Sequence, residues 1–149
     1  MTTKNKNWET VLVDLENKLA EFFTKKLPVL PTNIKGFIVK YIPYFTIITV
    51  VLEMLTLGIA IVATPFVFLS GIKVGLVQII SVLFGVVAIV LEIKAVKGLF
   101  KREMKAWKLL FYVSLISATL NLLRLDIFGL IIGSGISWYV LFQIRSYYK

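Results

Sequence analysis

Residues 43–64 read PYFTIITVVLEMLTLGIAIVAT, and what this stretch becomes decides the fold. It is apolar apart from its threonines and Glu53. A helix rises 1.5 Å per residue, so about 20 residues cross a hydrocarbon core ~30 Å thick. This run is long enough, and three others follow it at about 74–96, 106–123 and 127–144. Pro65 and the Ser70-Gly71 pair separate the first two. A charged cluster at Lys97, Lys101, Arg102, Glu103 and Lys105 separates the second from the third, and Arg124-Leu125-Asp126 separates the third from the fourth. Connections this short turn neighbouring helices antiparallel. The expected fold is all-α, a polytopic membrane four-helix bundle of two antiparallel hairpins.

Composition agrees. The chain has 149 residues, of which 58% are hydrophobic, and a mean hydropathy of +0.88. Soluble domains hold about 45–50% apolar residues. The excess lies beyond residue 42, so residues 1–42 form a separate arm and 43–149 the bundle. Cysteine and histidine are both absent from the sequence. Disulfides, the usual zinc sites and Cys or Ser–His nucleophiles therefore drop out. No cofactor, metal site or catalytic residue is expected, and the protein is read as a non-enzyme. Residues ahead of the first long run carry mixed charge, so a cleavable signal is not expected. Thr2 and the ending Ser146-Tyr147-Tyr148-Lys149 fit no lipidation motif, so insertion falls to the spans themselves.

The net charge of +9 would suggest nucleic acid in a soluble protein. Here the basic residues flank apolar runs, which is how membrane orientation is encoded, and no nucleic-acid partner is expected. Fifteen of the 17 Lys and Arg fall on one side of the four spans, and only Lys73 and Arg124 on the other. The expected orientation places both termini in the cytoplasm, in a cytoplasmic (inner) membrane. Trp107, Trp138, Tyr139, Tyr147 and Tyr148 fit as interfacial anchors.

Small and polar residues recur on each run at a spacing near 3.5. Thr46, Thr49, Glu53, Thr56, Ala60 and Ala63 mark the first. Gln78, Ser81, Gly85, Ala88, Glu92 and Ala95 mark the second. Ser114, Ser117, Asn121 and Arg124 mark the third, and Gly129, Gly133 and Ser137 the fourth. Small residues let helices approach in lipid, and polar ones find partners across the seam. Gly85, Gly129, Gly133 and Ser137 are the expected packing positions. A polar cavity or an oligomer contact are the other uses for such stripes.

Glu53 stands out, about 15 Å into the first span and so near the bilayer midplane. A carboxylate there costs at least ~2.5 kcal/mol. It is either a neutral acid hydrogen-bonded between helices, with Ser114 and Ser117 at comparable depth, or a site for a proton or cation. Thr49, Thr56, Gln78, Ser81, Ser114, Ser117 and Asn121 would line that site. Glu92 reads as a boundary acid beside Lys94 and Lys97, and Arg124 and Asp126 as a salt bridge across the last turn.

In the arm, Trp8, Val11, Leu12, Leu15, Leu19, Phe22 and Phe23 recur at helical spacing over residues 7–25. The opposite face, with Glu9, Asp14, Glu16, Lys18 and Glu21, is largely acidic. Trp8, Leu12, Leu15, Leu19 and Phe22 therefore offer an amphipathic surface for a partner, a second copy or the bilayer. Pro28 and Pro31 end this helix, and Thr32 or Asn33 can cap a short basic interfacial piece leading into the first span.

At Gly98-Leu99-Phe100-Lys101-Arg102, at 107–112 and at the ending 140–149, the sequence resembles small uncharacterised four-helix membrane proteins of candidate-phylum bacteria. The resemblance implies a bacterial cytoplasmic membrane and brings no activity. The mid-membrane acid in the first of four helices is also similar to the small multidrug resistance transporters, although the charge bias and the long arm depart from them. Two functions follow. One is a structural, interaction or anchoring protein working through its arm. The other is a proton- or cation-coupled transporter or channel subunit using Glu53.

Overall fold

The computed structural model describes the backbone from residue 8 and the side chains from residue 10. Every element among the described residues is helical. Helix α1 (Trp8–Glu21) runs into a wide π turn at Phe22–Lys26, and an extended link reaches α2 (Thr32–Leu69). Helix α3 (Ile72–Phe100) and helix α4 (Met104–Leu123) follow. The last helical stretch begins at 127, takes a π turn at Gly129–Ser134 and continues as α5 (Gly135–Ile144). Helices α2, α3 and α4 are long and apolar enough to cross a membrane. The fourth run is helical but irregular. Three glycines within 129–135 weaken the α-helical preference there.

Two sequence expectations about α2 need correcting. Residues 32–69 form one helix that passes through Pro43 and Pro65, so neither the arm's second piece nor the first run is a separate element. Proline is tolerated inside membrane helices because neighbouring groups re-satisfy the backbone it leaves free. The real break is Ser70-Gly71, where Gly71 adopts φ +134, a conformation other residues rarely take. The second concerns the cap of α2. It is Pro31 rather than Thr32 or Asn33, with no side-chain cap bond.

The next two turns share one construction. In the first, Glu103 N–H donates to Gly98 O and Arg102 N–H to Leu99 O, at 2.8 and 3.1 Å. In the second, Asp126 N–H donates to Asn121 O and Leu125 N–H to Leu122 O, at 2.9 and 3.1 Å. This is the Schellman pattern, with Arg102 and Leu125 in the left-handed position at φ 57 and 58. Arg124 and Asp126 do not pair as expected. Arg124 Nε donates to Ser81 Oγ at 3.2 Å, and Asp126 accepts Gly129 N–H at 2.8 Å, capping the next helix.

Packing is densest at the end that carries the arm, the α3–α4 turn and the C terminus. Trp107, Phe111, Phe142, Leu99 and Ile144 are fully buried there. Trp107 stacks on Phe111, and the Phe142 ring meets both edge-on. Phe23 stacks on Phe142 at 5.9 Å and docks the arm. Gln143, 3% exposed, donates to Phe23 O at 2.9 Å and to Pro28 O at 3.4 Å, and accepts Leu30 N–H at 3.3 Å. Buried Glu16 pairs with Arg145, and Lys149 is tied by its backbone to Arg102 and Met104.

Close helix approaches sit at glycines near the turns. A Cβ on Gly98 would lie 2.7 Å from Ala106 Cβ, and one on Gly75 2.5 Å from the Phe68 ring. Ala106 Cβ cannot swing aside, so Gly98→Val should cost about 1–3 kcal/mol, the usual penalty of overpacking. Gly58, with no neighbour within 4 Å, is the control. Denaturation midpoints in detergent should fall for Gly98→Val and hold for Gly58→Val; equal losses would contradict this packing.

Tyr148, 3% exposed, has its phenol pushed up to about 12 by burial, with the charge of Arg102 acting against the shift. The fold therefore favours the neutral phenol. That contribution is complete below the ordinary value near 10 and is lost as pH rises through about 12. Wild type should lose stability relative to Tyr148→Phe across this alkaline range. Parallel stability curves would refute the assignment.

Candidate functional site

Thr49 and Glu53 lie four residues apart on α2 and so share a face. Glu92 meets that face from α3. Its carboxylate is 7% exposed and accepts a 3.4 Å bond from Thr49 Oγ1. The boundary role expected of Glu92 is thus replaced: Lys94 and Lys97 point outward, and the acid turns inward. Helix α4 adds Ser114, Ser117 and Asn121 at spacings of three and four, and the π turn and α5 add Gly133, Ser134 and Ser137. Together with Glu53 and Glu92 these residues line a cavity of about 500 Å³ between the four helices, whose walls are otherwise apolar.

A second cavity of about 250 Å³ lies beside it. Thr56, Gln78, Ser81, Gly85 and Arg124 line it, and Glu53 and Ser117 line both spaces. Glu53 therefore stands where the two cavities adjoin, with Glu92 on one side and Arg124 on the other.

The hydrogen bonds show which polar groups are already committed. Ser114 Oγ donates to Phe111 O at 2.6 Å and accepts from Trp138 Nε1 at 2.9 Å. Thr56 donates to Glu53 O at 3.0 Å, Ser81 to Val77 O at 2.8 Å, and Gln78 to Ala60 O at 3.4 Å. Thr49 also donates to Thr46 O at 2.9 Å. Among the described residues, no donor reaches the half-buried Glu53 carboxylate, so the expected bond to Ser114 or Ser117 is not made. Ser134 Oγ is buried, on a residue 4% exposed, and has no hydrogen-bond partner among the described residues. The described residues bring no three His, Cys, Asp or Glu side chains together.

All eight candidate polar residues thus fall on the helix faces that meet. Seven line the two cavities, and Thr49 reaches the first through Glu92. The packing residues behave differently. Gly85 lies against Leu57, with a would-be Cβ 3.2 Å from its Cδ1. The space at Gly129 is filled by Asp126, its own cap, while Gly133 has no neighbour within 4 Å and Ser137 is exposed. The glycine face of the last run thus opens toward the first cavity.

The arm's apolar residues are divided. Leu12 and Leu19 are half-buried, while Leu15 and Phe22 are exposed beside Val11. The Trp8 side chain lies outside the described residues. Glu16, Leu19, Ala20 and Phe23 form the docked face.

Two site residues were missed by sequence reasoning. Glu92 was already legible, since it belongs to the stripe Gln78, Ser81, Gly85, Ala88. Ser134 was not, because a π turn spends an extra residue per turn and brings forward a position that α-helical spacing skips. Comparison with known proteins finds no matching family model, curated protein or solved structure.

Proposed function

We propose that this is a four-span protein of the bacterial cytoplasmic membrane whose intramembrane cavity binds a proton or small cation at Glu53 and Glu92, as part of a transport or channel function. The observation that carries the reading is two carboxylates on adjacent helices lining one apolar-walled space, where among the described residues only Glu92 accepts a bond, a long one from Thr49. Like charges in a weakly polar medium repel strongly, and each unpaired acid at this depth costs at least ~2.5 kcal/mol. A bound proton or cation removes both costs. The unpartnered Ser134 hydroxyl adds a neutral oxygen ligand. The proposed role is carriage rather than catalysis. Because α5 touches α2 only sparsely, a second copy is the natural way to close that side.

A second reading, an anchoring or interaction protein, keeps support from Val11, Leu15 and Phe22, which remain exposed on the arm. Part of the arm's apolar surface is already used within the chain.

Purified protein in liposomes separates the two. Proton or monovalent-cation flux should appear, fall at least tenfold in Glu53→Gln and fall again in the double variant with Glu92→Gln. Flux unaffected by either substitution, or none with any cation, would end the transport reading. If Leu15→Ser and Phe22→Ser then abolish the cellular role while Glu53→Gln spares it, the anchoring reading prevails.

The fourth crossing and the orientation have their own test. The sequence contains no cysteine, so single replacements at Lys73 and Asp126 report cleanly. Both should react with an impermeant thiol reagent on intact cells, whereas a cysteine at Lys101 should not. Protection at Asp126 would mean that α4 does not emerge outside.

A further inference from the structure

A third cavity, of about 530 Å³, lies at the arm end, well away from the two carboxylates. Ala20 and Thr24 of the arm, Val29 of the link and Lys35 of α2 form one side. Met104, Phe142, Gln143, Arg145, Ser146 and Tyr148 form the other. Its polar lining is rich in donors and cations. Lys35 and Arg145 bring positive charge, Ser146 and Tyr148 bring hydroxyls, and among the described residues no acid lines the walls.

The internal accounts of these groups leave capacity over. Gln143 is spent on Phe23 O, Pro28 O and Leu30 N–H, and Thr24 Oγ1 donates to Ala20 O at 2.6 Å. Arg145 gives one amino group to Glu16 and lies over the Trp107 ring at 5.3 Å, which leaves other guanidinium N–H groups free to donate. Tyr148 Oη is fully buried and has no hydrogen-bond partner among the described residues. A buried hydroxyl left in that state is destabilising, so a ligand oxygen that accepts from it supplies the bond the unliganded fold lacks. Because burial holds this phenol neutral to high pH, it stays a donor under all ordinary conditions.

From this arrangement we infer that the arm-end cavity binds a phosphate group between Lys35, Arg145 and Tyr148. Several donors and two cations, one of them shared with Glu16, suit a phosphate, and arginine's planar fork matches its oxygens. The group can arrive on an anionic phospholipid or on a soluble phosphate. The lipid source has a route in place, since Ile34 and Phe37 are exposed apolar residues beside Lys35 on the same helix. The site is independent of the carboxylate cavity and stands or falls separately from it.

The test uses the full chain in nanodiscs. Retained phosphatidylglycerol is read by native mass spectrometry from bilayers of phosphatidylcholine alone or with one-fifth phosphatidylglycerol, and inorganic phosphate is titrated calorimetrically into the phosphatidylcholine discs. Wild type should bind one of the two. Phosphatidylglycerol retained without a response to phosphate assigns a lipid, and a response to phosphate assigns a soluble ligand. Tyr148→Phe removes only the hydroxyl and keeps the ring, so the fold should hold while affinity falls about tenfold, the usual worth of a hydrogen bond to a charged group. Lys35→Gln should weaken binding by a similar factor and reduce its salt dependence. Binding of neither probe, or equal binding by wild type and both variants, would overturn the assignment.

Discussion

Backbone that leaves the helix must find partners, and where side chains pack water away those partners have to be protein. The link at 27–31 is the one long non-helical stretch between the described helices, and Gln143 supplies what it lacks. A single amide accepts from Leu30 N–H and donates to Phe23 O and Pro28 O, while Tyr139 Oη donates to Pro28 O at 2.7 Å. Much follows from this one attachment. It sets the distance between the arm and the last helix, and so lets Phe23 stack on Phe142. It leaves Glu16 opposite Arg145. It also walls the donor-lined space in which Tyr148 lies. Replacing Gln143 with an apolar side chain would strip this partner from Phe23 O and Leu30 N–H, while Pro28 O would keep its bond from Tyr139.

Away from that end the forces change character. Lipid tails are as apolar as leucine, so burying leucine against leucine gives membrane helices little reason to associate. The long exposed apolar faces of α2 and α3 are what that argument requires of spanning helices. Association rests on specific fits. Gly75 and Gly98 allow α3 to approach its neighbours beside the turns. Trp107 Nε1 donates to Leu141 O at 2.8 Å and Trp138 Nε1 to Ser114 Oγ, so two indoles clasp α4 to α5. Arg124 reaches back to Ser81 and ties the far turn of α4 to α3.

The elements were legible in the sequence because their signal is length and apolarity, which need no tertiary information. The turns after α3 and α4 also fell where charge interrupts the runs. Pro43 and Pro65 were read as boundaries because proline breaks helices in water. In a long apolar helix with neighbours to satisfy it, that penalty is absorbed. The candidate polar residues were legible through their 3.5-residue spacing, and Glu53, Gln78, Ser114 and Asn121 reach the seams that spacing implies. The small-residue stripe of Gly129, Gly133 and Ser137 brings no close helix approach at Gly133, and the reason is local. Regular spacing predicts a common face only if the helix is regular, and this one carries a π turn. The partnering of the arm was hidden for another reason: an amphipathic face announces that something covers it, never what.

That wide turn also explains why a cavity exists. The last helix is held tightly at one end by Gln143, Trp107 and Arg145, and is capped at the other by Asp126. Between these fixed points it runs through residues with little side chain, Gly133 and Gly135, whose missing Cβ atoms would meet nothing within 4 Å. A helix pinned at its ends and slim in the middle cannot fill the space opposite Glu53 and Glu92. A bulkier residue at 133, which lines the cavity, would have filled part of the gap with hydrocarbon at no cost in backbone geometry. Two unpaired acids, an unpartnered serine and a slim helix therefore have one common consequence, room for a polar guest at a depth where apolar filling was freely available.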